Sequence, residues 1–390
     1  MSETCDLCGN AALEQVYAPQ GSVRRLTVWL CTHCGLVQSL PRIDHAPRRT
    51  ASVSADADWG NVRYGKGFRA EANLSTLKPF IAKHRPLRVL DVGASRGAFS
   101  LEMKGAYPNA EIIGLEPDER VVGAWANKPG FSWLHARLEA TRFEPESFDV
   151  IYSCHTLEHV KSGREALRHH WEALKPHGHL LIEVPNLAMI GLSDIVEEFF
   201  IDKHLYHYSL RTLSRLLSAS GFRTVLVADP RDTINVTIVA VKDSAGAAPV
   251  ESDTREVDSA SSLISSYHAA RMQNLAALTS VARMIDAMAP RKVAVWGAGR
   301  LLNSLILNGG LKPASLAAVV DKHLIRYASD AHGVPLTAPT ELTSIKPDVV
   351  VVMSRSFASE IREEAQARVP GCEVIAYTDL LARAKTQAAA

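Results

Sequence analysis

The sequence predicts an α/β fold in three parts: a small cysteine-ligated module, a central doubly wound sheet, and a second α/β unit of the same grammar. Three observations predict it. Two C-x2-C pairs stand in the first 34 residues; a strand, glycine turn and helix succeed one another at residues 88–103; and that succession returns at 292–310, beyond an acidic, apolar-poor stretch. A chain of 390 residues is too long for one ordinary core, so two or three domains are expected, one of them small.

Composition narrows the class. A hydrophobic content of 47% with 22% charged residues describes a soluble globular protein, and no apolar run approaches the ~20 residues that a membrane span needs. The start "MSETCDLCGN" lacks the basic and apolar stretches of a signal peptide, so a cytoplasmic protein with reduced thiols is expected. A net charge of +1 supplies no general field for a phosphate backbone, so neither a nucleic-acid partner nor a membrane is expected.

Cys5 and Cys8, then Cys31 and Cys34, are separated by a gap of 22 residues. Each C-x2-C turn aims two thiolates at one ion, and two such turns close a tetrahedral shell with no position left for water, so the expected ion is a structural zinc. The intervening "VYAPQGSVRRLTVWL" reads as a hairpin that brings the knuckles together. Cys154 and Cys372 are isolated and read as ordinary buried residues.

"RVLDVGA", residues 88–94, reads as a buried strand, and "GAFSLEMKGAYP" as the start of a helix. Gly93 and Gly97 then lie at the crossing, where glycine lets a ligand approach the backbone. The next apolar run, "EIIGLEP", ends in Glu116 and Pro117, placing an acid where it can bind both hydroxyls of a ribose. The spacing D-x-G-x-x-x-G, with Asp91, Gly93 and Gly97, resembles the first motif of the class I S-adenosylmethionine-dependent methyltransferases. In that resemblance Asp91, Gly93, Ala94 and Gly97 face the methionine part of the cofactor and Glu116 takes its ribose, with Pro117, Ser153 and His155 beside it.

Further strands are expected in "FDVIYSCHTLEHV", "HLLIEVPN", "TVLVAD" and "NVTIVAVK", with an amphipathic helix in "SLRTLSRLLSASGF". Their alternation predicts ligands at the strand C-termini, which places His155 and His159 near the transferred methyl. Residues 244–261 have linker chemistry. Beyond them "KVAVWGAGRLLNSLILNGG" carries Gly297, Gly299 and Arg300 in a second glycine turn, "AAVVDKH" ends a strand at Asp321, and "PDVVVVMSRSFASEI" adds a strand and helix. That turn reads either as a seat for a substrate phosphate at a helix N-terminus or as structure alone.

The order of knuckle, glycine-turn domain, linker and Rossmann-like tail resembles the nucleotide-sugar C-methyltransferases of antibiotic deoxysugar pathways over nearly the whole chain. "CTHCGLVQS", "WGAGR", "VVDKH" and "SRSFASEI" carry the likeness. It implies boundaries at 1–55, 56–243, 244–261 and 262–390, S-adenosylmethionine as cofactor, and methylation of a ring carbon next to a ketone through a base-generated enolate. Of the family's Asn-x-x-x-His, this chain has His155 and His159. Of its Tyr-x-Glu-His it keeps His204, the implied base, but places Ile201 and Lys203 where Tyr and Glu are expected.

A histidine suits proton removal near neutrality, while a lysine beside it would lower its basicity or steady an oxyanion. The expected catalytic set is therefore His204, His159, His155 and Lys203. Tyr64, Tyr206, Gly297, Gly299 and Arg300 are the expected substrate contacts, in a monomer or homodimer. Methylation on oxygen, an RNA methyltransferase reading RNA through its knuckle, and a non-catalytic binding protein are the alternatives.

Overall fold

The computed structural model describes residues 3–20, 22–42, 69–81, 86–118, 122, 127–243, 246–322, 324–326, 329–355 and 357–389, so Arg63 and Tyr64 lie outside the described residues. The chain divides into two compact units. The first runs to Ser265, apart from the segment Leu192–Glu197, which belongs with Ser266–Ala390 in the second. Among the described residues no helix is long and apolar enough to cross a membrane.

The first unit opens with the expected hairpin. Strands β1 (Leu13–Tyr17) and β2 (Thr27–Cys31) pair antiparallel, and β3 (Val37–Leu40) continues the sheet on the other side of β2. Helix α1 (Arg69–Leu77) leads into β4 (Arg88–Val92), and then follow α2 (Ala98–Ala106), β5 (Glu111–Leu115), β6 (Phe131–Leu134), β7 (Phe148–Cys154), α3 (Gly163–Ala173) and β8 (Leu174–Pro185). The last elements are β9 (Tyr206–His207), α4 (Leu210–Ala219), β10 (Phe222–Val227) and β11 (Asn235–Lys242).

Seven strands form the main sheet in the order β10-β11-β8-β7-β4-β5-β6. The strands from β8 to β6 are parallel, while β11 runs antiparallel to both its neighbours. Alternate residues of the apolar runs feed opposite faces. Leu90, Ile151 and Ile182 join α3 and α4 on one side, and Val89, Val150 and Leu181 join α1 and α2 on the other. Burial of both faces explains why these strands read as near-continuous apolar runs. The chain order reverses beside β4, so the crevice beyond the C-terminal ends of β4 and β7 is where such a sheet binds ligands.

The knuckle is not a separate domain. Cys5, Leu7, Cys31, Cys34 and Leu36 pack into the same core as Leu90 and Ile151. Asp6 accepts hydrogen bonds from the Ser162 hydroxyl, at the N-cap of α3, and from the Arg164 amide, while Arg215 of α4 donates to the Cys34 carbonyl. The short strand β9 pairs antiparallel with β3 through Val37 with His207 and Gln38 with Tyr206, so a segment from the far side of the domain becomes the fourth strand of the ribbon. An isolated ~40-residue ribbon lacks core; this one borrows its neighbour's.

The expected linker is shorter than 244–261. Helix α5 (Thr254–Asp286) starts inside it. The Asp253 carboxylate accepts from the Glu256 amide and is held by Arg211 and Arg215, which anchors the first turn. The acidic, apolar-poor composition that suggested a linker is also compatible with a helix once Ala260, Ile264 and Tyr267 have a surface to cover.

The second unit holds a six-stranded sheet. Strands β12 (Val293–Trp296), β13 (Ala318–Val320), β14 (Asp330–Ala331), β15 (Val334–Thr337), β16 (Val349–Val352) and β17 (Glu373–Ala376) stand in the order β14-β15-β13-β12-β16-β17, parallel except for β14. Helices α6 (Arg300–Gly309), α7 (Leu342–Ile345), α8 (Ala358–Arg368) and α9 (Tyr377–Ala389) alternate with them. Beyond β16, Arg355 grips Glu197 through two hydrogen bonds of 2.7 and 2.9 Å and also binds Asp194, which fixes the segment Leu192–Glu197 in this unit.

His207 is fully buried on the β3–β9 pair, with Nε2 2.9 Å from the Ser39 hydroxyl, and burial pushes its pKa down to about 3. Its neutral form is therefore required by the fold, whereas the unfolded chain takes up a proton near pH 6.5. Stability from this group is full above that value and falls by about 1.4 kcal/mol per pH unit below it, down to about pH 3. The His207→Gln protein should show a shallower loss of Tm between pH 7 and pH 5 than the unsubstituted protein in calorimetric scans; an unchanged slope would contradict this.

Candidate active site

The glycine turn is built as the motif suggested. β4 ends at Val92, and Gly93 turns at φ 73° with its amide donating to the Leu115 carbonyl at 2.8 Å. A β-carbon at Gly93 would stand 2.3 Å from the Thr156 hydroxyl, so the position is closed to larger residues by space as well as by conformation. Gly97, at φ 71°, precedes the first turn of α2.

Glu116 is 9% exposed at the end of β5. Its two oxygens accept from the Ser95 and Asp118 amides, both at 3.0 Å, which pins the acid against the glycine turn. Asp91 is buried, accepts from the Ser100 hydroxyl at 2.6 Å, and has its pKa raised from the usual 3.8 to about 7 by burial, with the negative charge of Glu116 adding to the rise.

These elements enclose a cavity of about 580 Å³ at the C-terminal ends of β4, β5 and β7, within the range of small-molecule sites. Asp91, Gly93, Ala94, Glu116, Pro117, His155, His159 and Lys203 line it, as do Val23 and Arg24 from the ribbon's hairpin tip. Gly97 and Ser153 do not; Gly97 shapes the turn, and Ser153 is buried within β7. At the back, the Tyr152 ring stacks on Phe99 at 3.7 Å, and fully buried Glu183 accepts from Arg69 and from Thr237, each at 2.7 Å. Burial and the charge of Glu183 push the Cys154 thiol well up, which keeps it protonated and poorly nucleophilic.

The sequence "CHTLEHV" folds into a cluster at the cavity mouth. His155 sits at φ 47°, a left-handed conformation unusual for a residue with a β-carbon, and its Nε2 is 3.0 Å from the Asn235 side-chain oxygen. His159 Nδ1 is 2.7 Å from the Lys203 carbonyl. His204 packs edge-on against His159 with ring centroids 4.9 Å apart, one ring back from the cavity lining.

Glu158, which is not among the expected site residues, lies beneath them. It is 1% exposed, with Oε1 3.5 Å from His155 Nδ1 and 3.6 Å from His159 Nε2. The one available signal was its place between two candidate histidines.

The ribbon holds the other side of the mouth. Tyr17 donates to Glu198 at 2.9 Å, the Ser22 hydroxyl and the Arg24 amide donate to Asp202, and the Ser39 amide donates to the Leu205 carbonyl at 2.8 Å. Tyr206 is a correction to the expected substrate contacts. The β3–β9 pairing turns it into the ribbon, where its buried hydroxyl donates to the Lys161 carbonyl. Gly297, Gly299 and Arg300 belong to the second unit. Gly297 turns at φ 113° with no room for a β-carbon beside the Met353 carbonyl, Gly299 caps α6, and Arg300 is exposed on its first turn.

The four knuckle cysteines converge. Cys5 and Cys34 sulfurs are 3.5 Å apart, Cys8 and Cys31 sulfurs 3.6 Å, and all four lie within 4.8 Å of one another. Four sulfurs at 2.3 Å from a tetrahedral zinc stand about 3.8 Å apart, so the donor set and its spacing fit that ion.

Residues 66–227 match a family model described as a methyltransferase domain, and residues 289–371 one described as C2185-like, N-terminal. The chain is 27% identical over 155 residues to a tRNA U34 carboxymethyltransferase of Syntrophotalea carbinolica, covering 38% of this chain and 44% of that protein. It is 26% identical over 181 residues to phosphoethanolamine N-methyltransferase 1 of Arabidopsis thaliana, covering 43% and 36%. The chain thus spans less than half the length of these curated relatives. A solved Burkholderia thailandensis 1,6-didemethyltoxoflavin-N1-methyltransferase with bound S-adenosylhomocysteine aligns at a TM-score of 0.36 and 17% identity, over 45% of this chain and 79% of that one. The matched segment, residues 66–227, is a methyltransferase domain.

The raised Asp91 makes a prediction with a definite sign. Because the folded carboxyl holds its proton up to about pH 7 and the unfolded one releases it near 3.8, this group costs stability progressively as pH rises through that window. Asp91→Asn should therefore raise Tm at pH 8, by the equivalent of about 2–4 kcal/mol, and not at pH 4. The same variant should bind S-adenosylhomocysteine, whose ammonium favours an ionised partner, more weakly. Calorimetry at both pH values checks the pair of effects, and a fall in Tm at pH 8 would refute the first.

Proposed function

We propose that the protein is an S-adenosylmethionine-dependent methyltransferase of a small molecule, a nucleotide-linked sugar of natural-product biosynthesis, methylated on carbon through a base-generated enolate. The cavity at the reversal of strand order carries this reading, with Asp91, the Gly93 turn and Glu116 on one wall and the histidine cluster across the mouth.

S-adenosylmethionine would be held by Asp91, Gly93, Ala94 and Glu116 and supplies an electrophilic methyl group. The chain's own tasks are to orient the acceptor, exclude water and take up a proton. His204 is the proposed base, supported by His159; Lys203, exposed at the rim, suits the oxyanion or a substrate phosphate. Residues 262–390, with Gly297, Gly299 and Arg300 at the start of α6, are the proposed carriers of the nucleotide, in a monomer or homodimer. Cys5, Cys8, Cys31 and Cys34 are proposed to bind one structural zinc. O-methylation of the same class of acceptor is the second reading, favoured by Lys203 in place of a carboxylate beside the base.

Native mass spectrometry with small-molecule extraction tests this first. One zinc per chain, with S-adenosylhomocysteine bound and a nucleotide sugar co-purifying, is the expected result; zinc without any adenosyl ligand, even after incubation, would overturn the enzymatic reading. In steady-state assays with the extracted acceptor, His204→Ala should lower kcat by about 10²–10⁴-fold with cofactor affinity nearly unchanged. Glu116→Ala should chiefly weaken the cofactor.

A further inference from the structure

The cluster at the cavity mouth has an electrostatic gap. Glu158 is buried, and among the described residues neither of its oxygens accepts a hydrogen bond. His159 faces it through Nε2 at 3.6 Å, while the other nitrogen, Nδ1, lies 2.7 Å from the Lys203 carbonyl. A carbonyl only accepts, so Nδ1 carries the proton, and a neutral His159 turns the lone pair of Nε2 toward a carboxylate. Two electron-rich atoms then oppose each other at the cavity mouth, and a positive charge between them turns the repulsion into attraction.

The surroundings fit a metal ion. Glu158, His159 and His204 each offer a ligand atom, all within 4.8 Å of one another. Oxygen and nitrogen ligands about 2.1 Å from a tetrahedral ion stand about 3.4 Å apart, close to the separation already present between Glu158 and His159. The bond from His159 Nδ1 to a backbone carbonyl is the outer contact that fixes tautomer and ring direction in metal-bound imidazoles. The other histidine–carboxylate group nearby, Cys154 with His155 and Glu183, is less suited, because Glu183 is already held by Arg69 and Thr237 and the thiol is protonated.

We propose that Glu158, His159 and His204 form a second, exchangeable site for a divalent transition-metal ion such as zinc, and that its occupation inhibits the enzyme. Inhibition follows because an imidazole nitrogen that coordinates a cation cannot also take the acceptor's proton. This inhibitory half rests on the reading of His204 as base, whereas the binding half rests on geometry alone.

The test uses full-length protein already carrying one zinc per chain. Titration with Co²⁺, followed by visible absorption, should show one further equivalent with the comparatively intense d–d bands of tetrahedral Co²⁺ and no thiolate charge-transfer band. Glu158→Gln and His159→Ala should each weaken this second equivalent by about tenfold or more. Retained S-adenosylhomocysteine binding in either variant shows that it is folded.

A charge-transfer band, a second equivalent that survives both substitutions, or no second equivalent at all would overturn the site. With the second equivalent of zinc bound, turnover should fall at least about tenfold and return on mild chelation. Undiminished turnover would overturn His204 as base while sparing the site, and loss of S-adenosylhomocysteine binding in unsubstituted protein would instead overturn the methyltransferase reading.

Discussion

The first unit depends on the antiparallel pairing of β3 with β9. The pairing joins Val37 with His207 and Gln38 with Tyr206, is extended by the Ser39 amide on the Leu205 carbonyl, and helps decide where residues 198–208 run. Without it, the segment carrying Lys203 and His204 would be a long connection between β8 and α4, held by the hydrogen bonds of Glu198, Asp202 and Leu205 but paired with no strand. With it, that segment ends in a strand of the ribbon, Tyr206–His207, and the ribbon is packed into the core beneath β4. The cluster of four cysteines at one end of the ribbon thus bears on the position of an imidazole at the other.

Elements whose signal is local were legible in the sequence. The apolar run of β4, the glycine turn and the acid after β5 each follow from a stretch of a few residues, and the two C-x2-C pairs announce their own convergence. What escaped depends on contacts between distant parts of the chain. Tyr206 looked like a site residue because it neighbours His204 in sequence, but strand alternation turns it into the ribbon, and the partner that makes it a strand lies some 170 residues earlier. Glu158 was invisible for a related reason. Burial gives that carboxylate its chemical character, and the burial belongs to the folded chain, in which residues as distant as Leu205, whose amide binds the Glu158 backbone carbonyl at 2.7 Å, are drawn alongside. The start of α5 was hidden because acidic, apolar-poor segments remain undecided until a packing surface or cap decides them.

The two sheets close their glycine turns alike. Glu116 accepts from the Ser95 and Asp118 amides, and Asp321 accepts from the Ala298 and Leu324 amides at 3.0 and 2.7 Å. In both, the acid at the end of the second strand fastens the turn at the end of the first. Such an acid can therefore be required for the turn's shape whether or not it touches a ligand, and a glycine turn with its acid is a weaker signature of a bound nucleotide than the spacing alone suggests.

The edge strand of the ribbon also has a consequence for synthesis on the ribosome. Val37, Gln38, Ser39 and Leu40 are all buried in the finished protein, but the strand that covers their open edge lies about 170 residues downstream. At 5–20 residues per second, roughly ten to thirty seconds separate the emergence of β3 from that of β9. For that interval the nascent chain exposes an unpaired apolar edge, the kind of surface that invites pairing with the wrong strand. Early closure of the four-cysteine cage would hold β2 and β3 in register meanwhile, which would give the proposed zinc a part to play before the rest of the domain exists.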